Sequence, residues 1–512
     1  MATQTKKMPK KQNKFIAAFF RRDVEGKYHM SDGFFGFLLT VPAILVLLTV
    51  IAAPILKGIY MSFMKYGLKE VSGKAAPVWN NFKNYTDLFR AGGINGNVVD
   101  YFLTTLQFVF WAVLVQFVIG LALALLLNTK LKGRGVFRGL FLVPWTIPSV
   151  VVALLWRLML NNSYGIINWI LNKLGCIPTT AFDWLNSPNL ALPAVVIAAV
   201  WRQLPYMMVM LLAGLGCFAL ACARRPQPDM ADPAVLKQSK YAPLADEILS
   251  GIAFWRAQEP EDIFLPSFDG LRLHGQLVQQ PESKGTILLF HGYRSSWVID
   301  FSIVLPYYHS LGYDLLVVDE RAHGQSEGDY ITFGVRERRD VVTWAQYAAM
   351  HFGPAHPLIL DGLSMGAATV LMASELELPA SVRGIIADCG FSSPYAIMKS
   401  VLHWRCPWLV SGPLLALTGV FTRLFGGFGL REVSATEAVA HTKLPILFIH
   451  GTGDQFVPCS MSQAAYDACT GEKRLILVEG AGHGQSYLVD RPRVQAAVRE
   501  FLTDYVLQEA ST

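Results

Sequence analysis

Hydrophobic and polar positions change their pattern once along the chain, near residue 223. Before that point apolar residues run on without charge over 33–56, 102–128, 139–160 (uncharged as far as Trp156) and 190–222 (broken only by Arg202). A helix rises about 1.5 Å per residue and a bilayer's hydrocarbon core is roughly 30 Å thick, so each run can cross once. The last run does not divide into two spans, because residues 190–201 are too few to cross alone. Four spans are expected. Pro144, Pro148 and Pro205 fall inside them, which membrane helices tolerate where neighbours satisfy the freed carbonyls.

After residue 223 the apolar runs shorten and alternate with helix-length polar segments. IFLPSF (263–268) and LRLHGQLVQQ (271–280) flank Asp269 and Gly270, a strong hairpin signal. TILLFHG (286–292), DLLVVD (314–319), PLILDG (357–362), GIIAD (384–388), PILFIHG (445–451) and RLILVEG (474–480) follow. Runs apolar on both faces suit buried parallel strands, and helices between them give a doubly wound sheet with its crevice at the strands' carboxyl ends. The expected fold is therefore an all-α transmembrane bundle over 33–222, a linker over 223–262, and an α/β domain over 263–512. Residues 391–433, with Trp404, Trp408, Phe421, Phe425 and Phe428, interrupt that domain. They read as an apolar cap over the crevice, or as a helical insertion that packs on the core or touches the membrane.

Charge gives the spans a direction. Of the 44 Lys and Arg residues, eight lie in the first 28 positions against only Asp23 and Glu25. Lys130, Lys132, Arg134 and Arg138 fill the loop 129–138, and Arg224 and Arg225 follow the last span. Basic flanks stay on the cytoplasmic side, so the basic N-terminus (1–32) and the α/β domain are both expected there, on an inner, multi-pass membrane protein. The net charge of +6 is thus spent on topology, and with no basic stripe interleaved with aromatics no nucleic-acid partner is expected. The first span is too long for a signal peptide and lacks a small-residue cleavage pattern. Seven cysteines without a CxxC pair or a His/Cys cluster predict neither a disulfide framework nor a metal site, and no cofactor is expected.

One motif carries chemistry. Gly362, Leu363, Ser364, Met365 and Gly366 form GxSxG between the strand PLILD and a helix-like AATVLMASEL. A serine on a tight strand-to-helix turn needs small neighbours two residues either side, hence Gly362 and Gly366. Serine at its ordinary pKa also needs a base, and the base an orienting acid. In chain order the candidates are Asp454 in FIHGTGDQFVP and His483 in EGAGHGQSY, each just after an expected strand. Asp388, ending GIIAD, is the rival acid, with turn capping as its alternative role. His274, His291, His323 and His450 stand in HG pairs and read as loop histidines holding backbone groups. For an oxyanion, the amide of Tyr293 in HGYRSSW and the amide of Met365 are the candidate donors, the Tyr293 side chain alternatively lining the pocket.

These residues, with VVDERAHGQSEG (317–328), resemble the α/β-hydrolase family over about residues 240–505, most nearly the bacterial serine esterases, acyl hydrolases and related peptidases. The resemblance implies a small-molecule acyl substrate, an ester, thioester or amide. In the other half, FKNYTDLF (82–89), LALALLLNTKLKGRGVFRGLFLVPWTIPSVVVALLWRLMLNNSYGIINWIL (121–171) and WRQLPYMMVMLLAGL (201–215) resemble a sugar-type ABC importer permease. That family implies an ATPase and a second permease subunit as partners, engaged through an EAA coupling loop. GCFALACARRPQPDM follows Leu215 in place of that loop, and no EAA loop occurs downstream. The expectation is a hydrolase tethered to the lipid bilayer by an incomplete permease-like segment. The alternatives are a permease subunit with a passive hydrolase appendage, or an artefactual fusion of two genes.

Overall fold

The computed structural model describes residues 20–22, 28–30, 32–65, 67–88, 98–129, 133–178 and 182–506. Most of the basic N-terminus, and Lys130 and Lys132 of the basic loop, lie outside the described residues. The chain falls into two compact units, Met1–Val113 and Leu114–Thr512.

In the first unit the apolar run forms helix α1, Phe34–Ser62, which ends six residues past the uncharged stretch and contains one π-helical turn, Leu47–Ala52. Two short antiparallel pairs accompany it, Phe20–Arg22 with Tyr28–Met30 and Met64–Lys65 with Val78–Trp79. The next helix, α2 (Val98–Asn128), carries the boundary between the units.

The third expected span is not one helix. It forms α3 (Arg134–Thr146) and α4 (Ser149–Met159), bent by 94° at the break. The cause is local: a proline ring disfavours the α conformation at the residue before it, and Ile147, preceding Pro148, is extended at φ −79°, ψ 131°. The last run is a single helix, α5 (Ala191–Cys222), which continues through Pro205. Among the described residues, α1, α2 and α5 are long and apolar enough to cross a membrane, and the count is four only if the bent pair is one span.

The rest of the second unit is built on eight strands: β1 (Glu261–Pro266), β2 (Arg272–Val278), β3 (Thr286–Phe290), β4 (Asp314–Asp319), β5 (Leu358–Leu363), β6 (Val382–Asp388), β7 (Ile446–Gly451) and β8 (Lys473–Val478). They form one sheet in the order β8-β7-β6-β5-β3-β4-β2-β1. The opening hairpin turns at Gly270, φ +86°, and pairs antiparallel, as does β2 with β4; all other pairs are parallel. The sheet is therefore mixed, doubly wound only beyond β2. Successive side chains of a strand face opposite ways. Leu288, Phe290, Leu316, Val318, Leu360 and Phe448 accordingly pack into one core layer, and Ile287, Leu289, Leu315, Val317, Ile359 and Leu447 into the other. Helices cover both layers, which is why these strands read as unbroken apolar runs.

Residues 391–433 contain α7 (Pro394–Arg405), α8 (Ser411–Phe421) and a π turn, Thr422–Gly426; α6 (Met365–Ala373) precedes them, behind β5. α8 lies along the C-terminal half of α5. A Cβ at Gly214 would collide with Leu417, so glycine permits the contact, and the Phe218 ring meets Phe425 at 6.0 Å. Leu211, Leu215, Phe218 and Cys222 join the same buried layer as the sheet's side chains.

Candidate active site

Ser364 stands between β5 and α6 at φ 57°, ψ −108°, a left-handed conformation that costs a non-glycine residue roughly 1–3 kcal/mol and persists only where the surroundings over-determine it. Here they do. A Cβ on Gly366 would collide with the Phe290 carbonyl of β3, and one on Gly362 with the backbone of Gly366. The Ser364 amide donates to the Asp388 carbonyl at the end of β6, 2.8 Å. Ser364 is 5% exposed, at the N-terminus of α6, where the helix dipole favours negative charge.

Three side chains from three separate loops meet there. His483 Nε2 lies 2.8 Å from Ser364 Oγ, and His483 Nδ1 lies 2.7 Å from Asp454 Oδ2. The other Asp454 oxygen, Oδ1, accepts from the amides of Phe456 and Val457, both at 2.9 Å. Burial works to raise the Asp454 carboxyl, but hydrogen bonds from His450 and His483 outweigh it and hold the group well below the usual carboxylate range. The Asp454 side chain is fully buried, whereas the His483 ring is 27% exposed and meets Phe456 edge-on. The arrangement can pass a proton from a serine hydroxyl to an imidazole whose tautomer is fixed by a buried carboxylate.

Asp388 sits apart from this line: its Oδ1 accepts from Ser486 Oγ at 3.3 Å, and burial pushes its carboxyl up to about 6. Cys389, the next residue, is buried at φ 49°. Cys389, Asp454 and His483 bring possible ligand atoms within 4.8 Å of one another, but Asp454 and His483 are there bonded to each other.

The loop after β3 is held by Asp300, which the sequence did not single out, and by two of the histidines expected to hold backbone groups, His291 and His323. Asp300 accepts from the Gly292 amide (2.6 Å) and the Ser295 hydroxyl (2.7 Å). His323 accepts from the Arg294 amide at 3.0 Å, and His291 accepts from the Glu320 amide at 3.1 Å. Among the described residues, the amides of Tyr293 and Met365 donate to no protein acceptor. The Tyr293 side chain turns to the end of α5: its hydroxyl donates to the Ala221 carbonyl (2.7 Å) and its ring stacks on Phe333. Arg294 donates beside it to the carbonyls of Leu220 (2.7 Å) and Ala223 (3.2 Å).

His450, read from sequence as a loop histidine, does hold backbone, with Nε2 3.0 Å from the Val457 carbonyl, but it also lies 3.3 Å from Asp454 Oδ2. Its Nδ1 meets Ser462 Oγ at 2.7 Å. It braces the acid loop. It stands four positions before Asp454, a spacing that carries no signal outside a helix.

Comparison with known proteins separates the same two parts. Residues 430–511 match an α/β-hydrolase family model described as TAP-like protein. An uncharacterised protein of Bacillus subtilis, YqkD, is 32% identical over 245 residues, 46% of this chain and 77% of its own length. The trehalose/maltose transport system permease protein MalF of Thermococcus litoralis is 36% identical over 180 residues, 35% of this chain. The chain spans only 57% of that permease's length. Among solved structures, an esterase of Pyrococcus furiosus is 22% identical, covering 49% of this chain and 93% of its own, with a TM-score of 0.41. The chain thus carries a segment similar to sugar ABC permeases, and its C-terminal part resembles the α/β-hydrolase family, whose model it matches over residues 430–511.

Proposed function

We propose that the chain is a membrane-tethered serine hydrolase whose site faces the cytoplasm and cleaves an ester, thioester or amide through an acyl-enzyme. The observation that carries this is the continuous hydrogen-bonded line from Ser364 Oγ through His483 to the buried Asp454. In this reading Ser364 Oγ attacks the acyl carbon while His483 Nε2 takes its proton, and Asp454 stabilises the imidazolium. The negative oxygen of the tetrahedral intermediate accepts from the amides of Tyr293 and Met365, each such donor worth about 3 kcal/mol. His483 returns the proton to the leaving alcohol, thiol or amine. Water, deprotonated by the same imidazole, then releases the acid and restores the serine. Arg224 and Arg225 after α5 support the cytoplasmic placement.

The test is labelling with a fluorophosphonate. Wild type should be labelled and inactivated, and Ser364→Ala should be neither labelled nor active on short acyl esters. Undiminished labelling of Ser364→Ala would overturn the reading.

The 36% identity to a sugar permease favours a second reading, a transport subunit in which the hydrolase is an appendage. ATP-driven uptake of a sugar by vesicles containing the chain and a co-purifying ATPase would support it, and failure of both would leave a membrane anchor.

A further inference from the structure

α5 is longer than a membrane needs. Its 32 residues extend about 48 Å, against roughly 30 Å of hydrocarbon. The excess lies at its C-terminal end, where Leu211, Gly214, Leu215, Phe218 and Cys222 are buried against the hydrolase. Measured from Ala191, the hydrocarbon core ends about 20 residues on, near Leu211.

The cap insertion reaches back to that level. Leu417 and Phe421 of α8 lie at Gly214, and Phe425, after α8, lies at Phe218, so α8 and α5 run in the same direction. Ser411 begins α8 six residues before Leu417, about 9 Å nearer the N-terminal end of α5, level with about residue 208. The turn joining α7 to α8 therefore lies where the apolar part of α5 leaves the bilayer. That turn and the end of α7 before it are apolar and open: Trp408 is 82% exposed and Val410 77% in the turn, and Trp404 49% in α7. Arg405 stacks on Trp404, 5.0 Å from its centroid. Over 391–433 there are four Lys and Arg residues, Lys399, Arg405, Arg423 and Arg431, all exposed, against one acid, Glu432. Tryptophan with arginine is the composition that settles at a lipid headgroup boundary, and a basic excess matches an anionic leaflet.

We infer that the turn between α7 and α8, centred on Trp408 and Val410, inserts into the anionic bilayer leaflet beside α5, giving the hydrolase a second membrane contact besides its spans. The inference rests on α5 crossing the membrane, so the experiment separates the two. The full chain is reconstituted in bilayers of phosphatidylcholine with one-third phosphatidylglycerol, carrying an environment-sensitive fluorophore at Trp408→Cys, at Val195→Cys in the exposed apolar face of α5, or at Met350→Cys on the hydrolase surface. Background from the native cysteines is taken from the unsubstituted chain. Lipids spin-labelled just below the headgroup are then added as quenchers. The expected result is that the Trp408 label loses at least half its emission, the Val195 label is also quenched, and the Met350 label is not. Quenching at Val195 without quenching at Trp408 would overturn the inference while leaving the span intact. A Trp408 label that is blue-shifted in detergent and unquenched in lipid would assign the turn to a second copy of the chain and overturn it equally. Absence of quenching at both positions would overturn the inference together with the membrane reading.

Discussion

Replacing Asp454 by asparagine tests the site at its most buried point, because the surroundings dictate which way the new amide must face. Asp454 Oδ1 accepts from two backbone amides, Phe456 and Val457, whose hydrogens are fixed. An asparagine can satisfy both only with its oxygen in that place, which puts its NH2 group where Oδ2 now faces His483 Nδ1 at 2.7 Å. Two donors cannot share that gap, so the imidazole proton must move from Nδ1 to Nε2. The Nε2–H then points at Ser364 Oγ, 2.8 Å away, and the ring can no longer take the serine proton. Losing the correctly held base costs about ten-thousand-fold in kcat, or about 5 kcal/mol, in the serine triads where the same change is understood. KM should hardly move, because Asp454 is buried away from any substrate. The assay is steady-state hydrolysis of a chromogenic acyl ester by wild type and Asp454→Asn, with Ser364→Ala setting the floor. A loss of less than tenfold in a folded Asp454→Asn protein would refute the assignment of the acid and return Asp388 to consideration.

Two further outcomes follow from groups around the site. Burial, more than any other cause, pushes the Asp361 carboxyl in β5 up to about 7; the Tyr308 hydroxyl at 2.7 Å pulls against it and Asp388 adds to it. Such a group is neutral in the fold while the unfolded chain ionises it, so its contribution is complete below about pH 4 and lost as pH rises through about 7, on the order of 4 kcal/mol. Asp361→Asn should therefore melt higher than wild type by a margin that widens between about pH 5 and pH 8, and a margin independent of pH would contradict this. Arg294→Ala strips the carbonyls of Leu220 and Ala223 of a charged donor, a loss of about 1–3 kcal/mol in a denaturant melt. Because Arg294 adjoins the Tyr293 amide, kcat should fall several-fold with KM little changed, and unchanged kcat would separate the end of α5 from the oxyanion loop.

What could be read from the residues alone depended on distance along the chain. The strands were legible because burial on both faces leaves an unbroken apolar run, and Leu358–Leu363 and Ile446–Gly451 fall within two residues of their expected limits. The GxSxG turn was legible because the strain at Ser364 must be accommodated by glycines within two positions. The bend at Ile147 was there to be read in Pro148, but the uncharged run concealed it: hydropathy reports what a segment dissolves in, not whether its axis is straight. The clamp of Asp300 on the loop after β3, the brace of His450 on Asp454, and the capping of α5 by Tyr293 and Arg294 left no local trace. The last of these joins residues more than 70 positions apart, and only the folded sheet brings them together.

The resemblance to permeases ends at Leu215, yet α5 passes that point without a break. The face it buries, Leu211, Gly214, Leu215, Phe218 and Cys222, takes residues from both sides of the join. A helix turns about 100° per residue, so the join has a phase as well as a position. One residue added there would swing Leu211 and Gly214 a quarter turn or more off the hydrolase while Phe218 and Cys222 stayed in place. Seven residues, close to two full turns, would bring the two halves of the face back within about 20° of alignment, with the hydrolase about 10 Å further from the membrane. Whatever brought the two segments together, the register at which they meet is the one that leaves α5 a single continuous stripe.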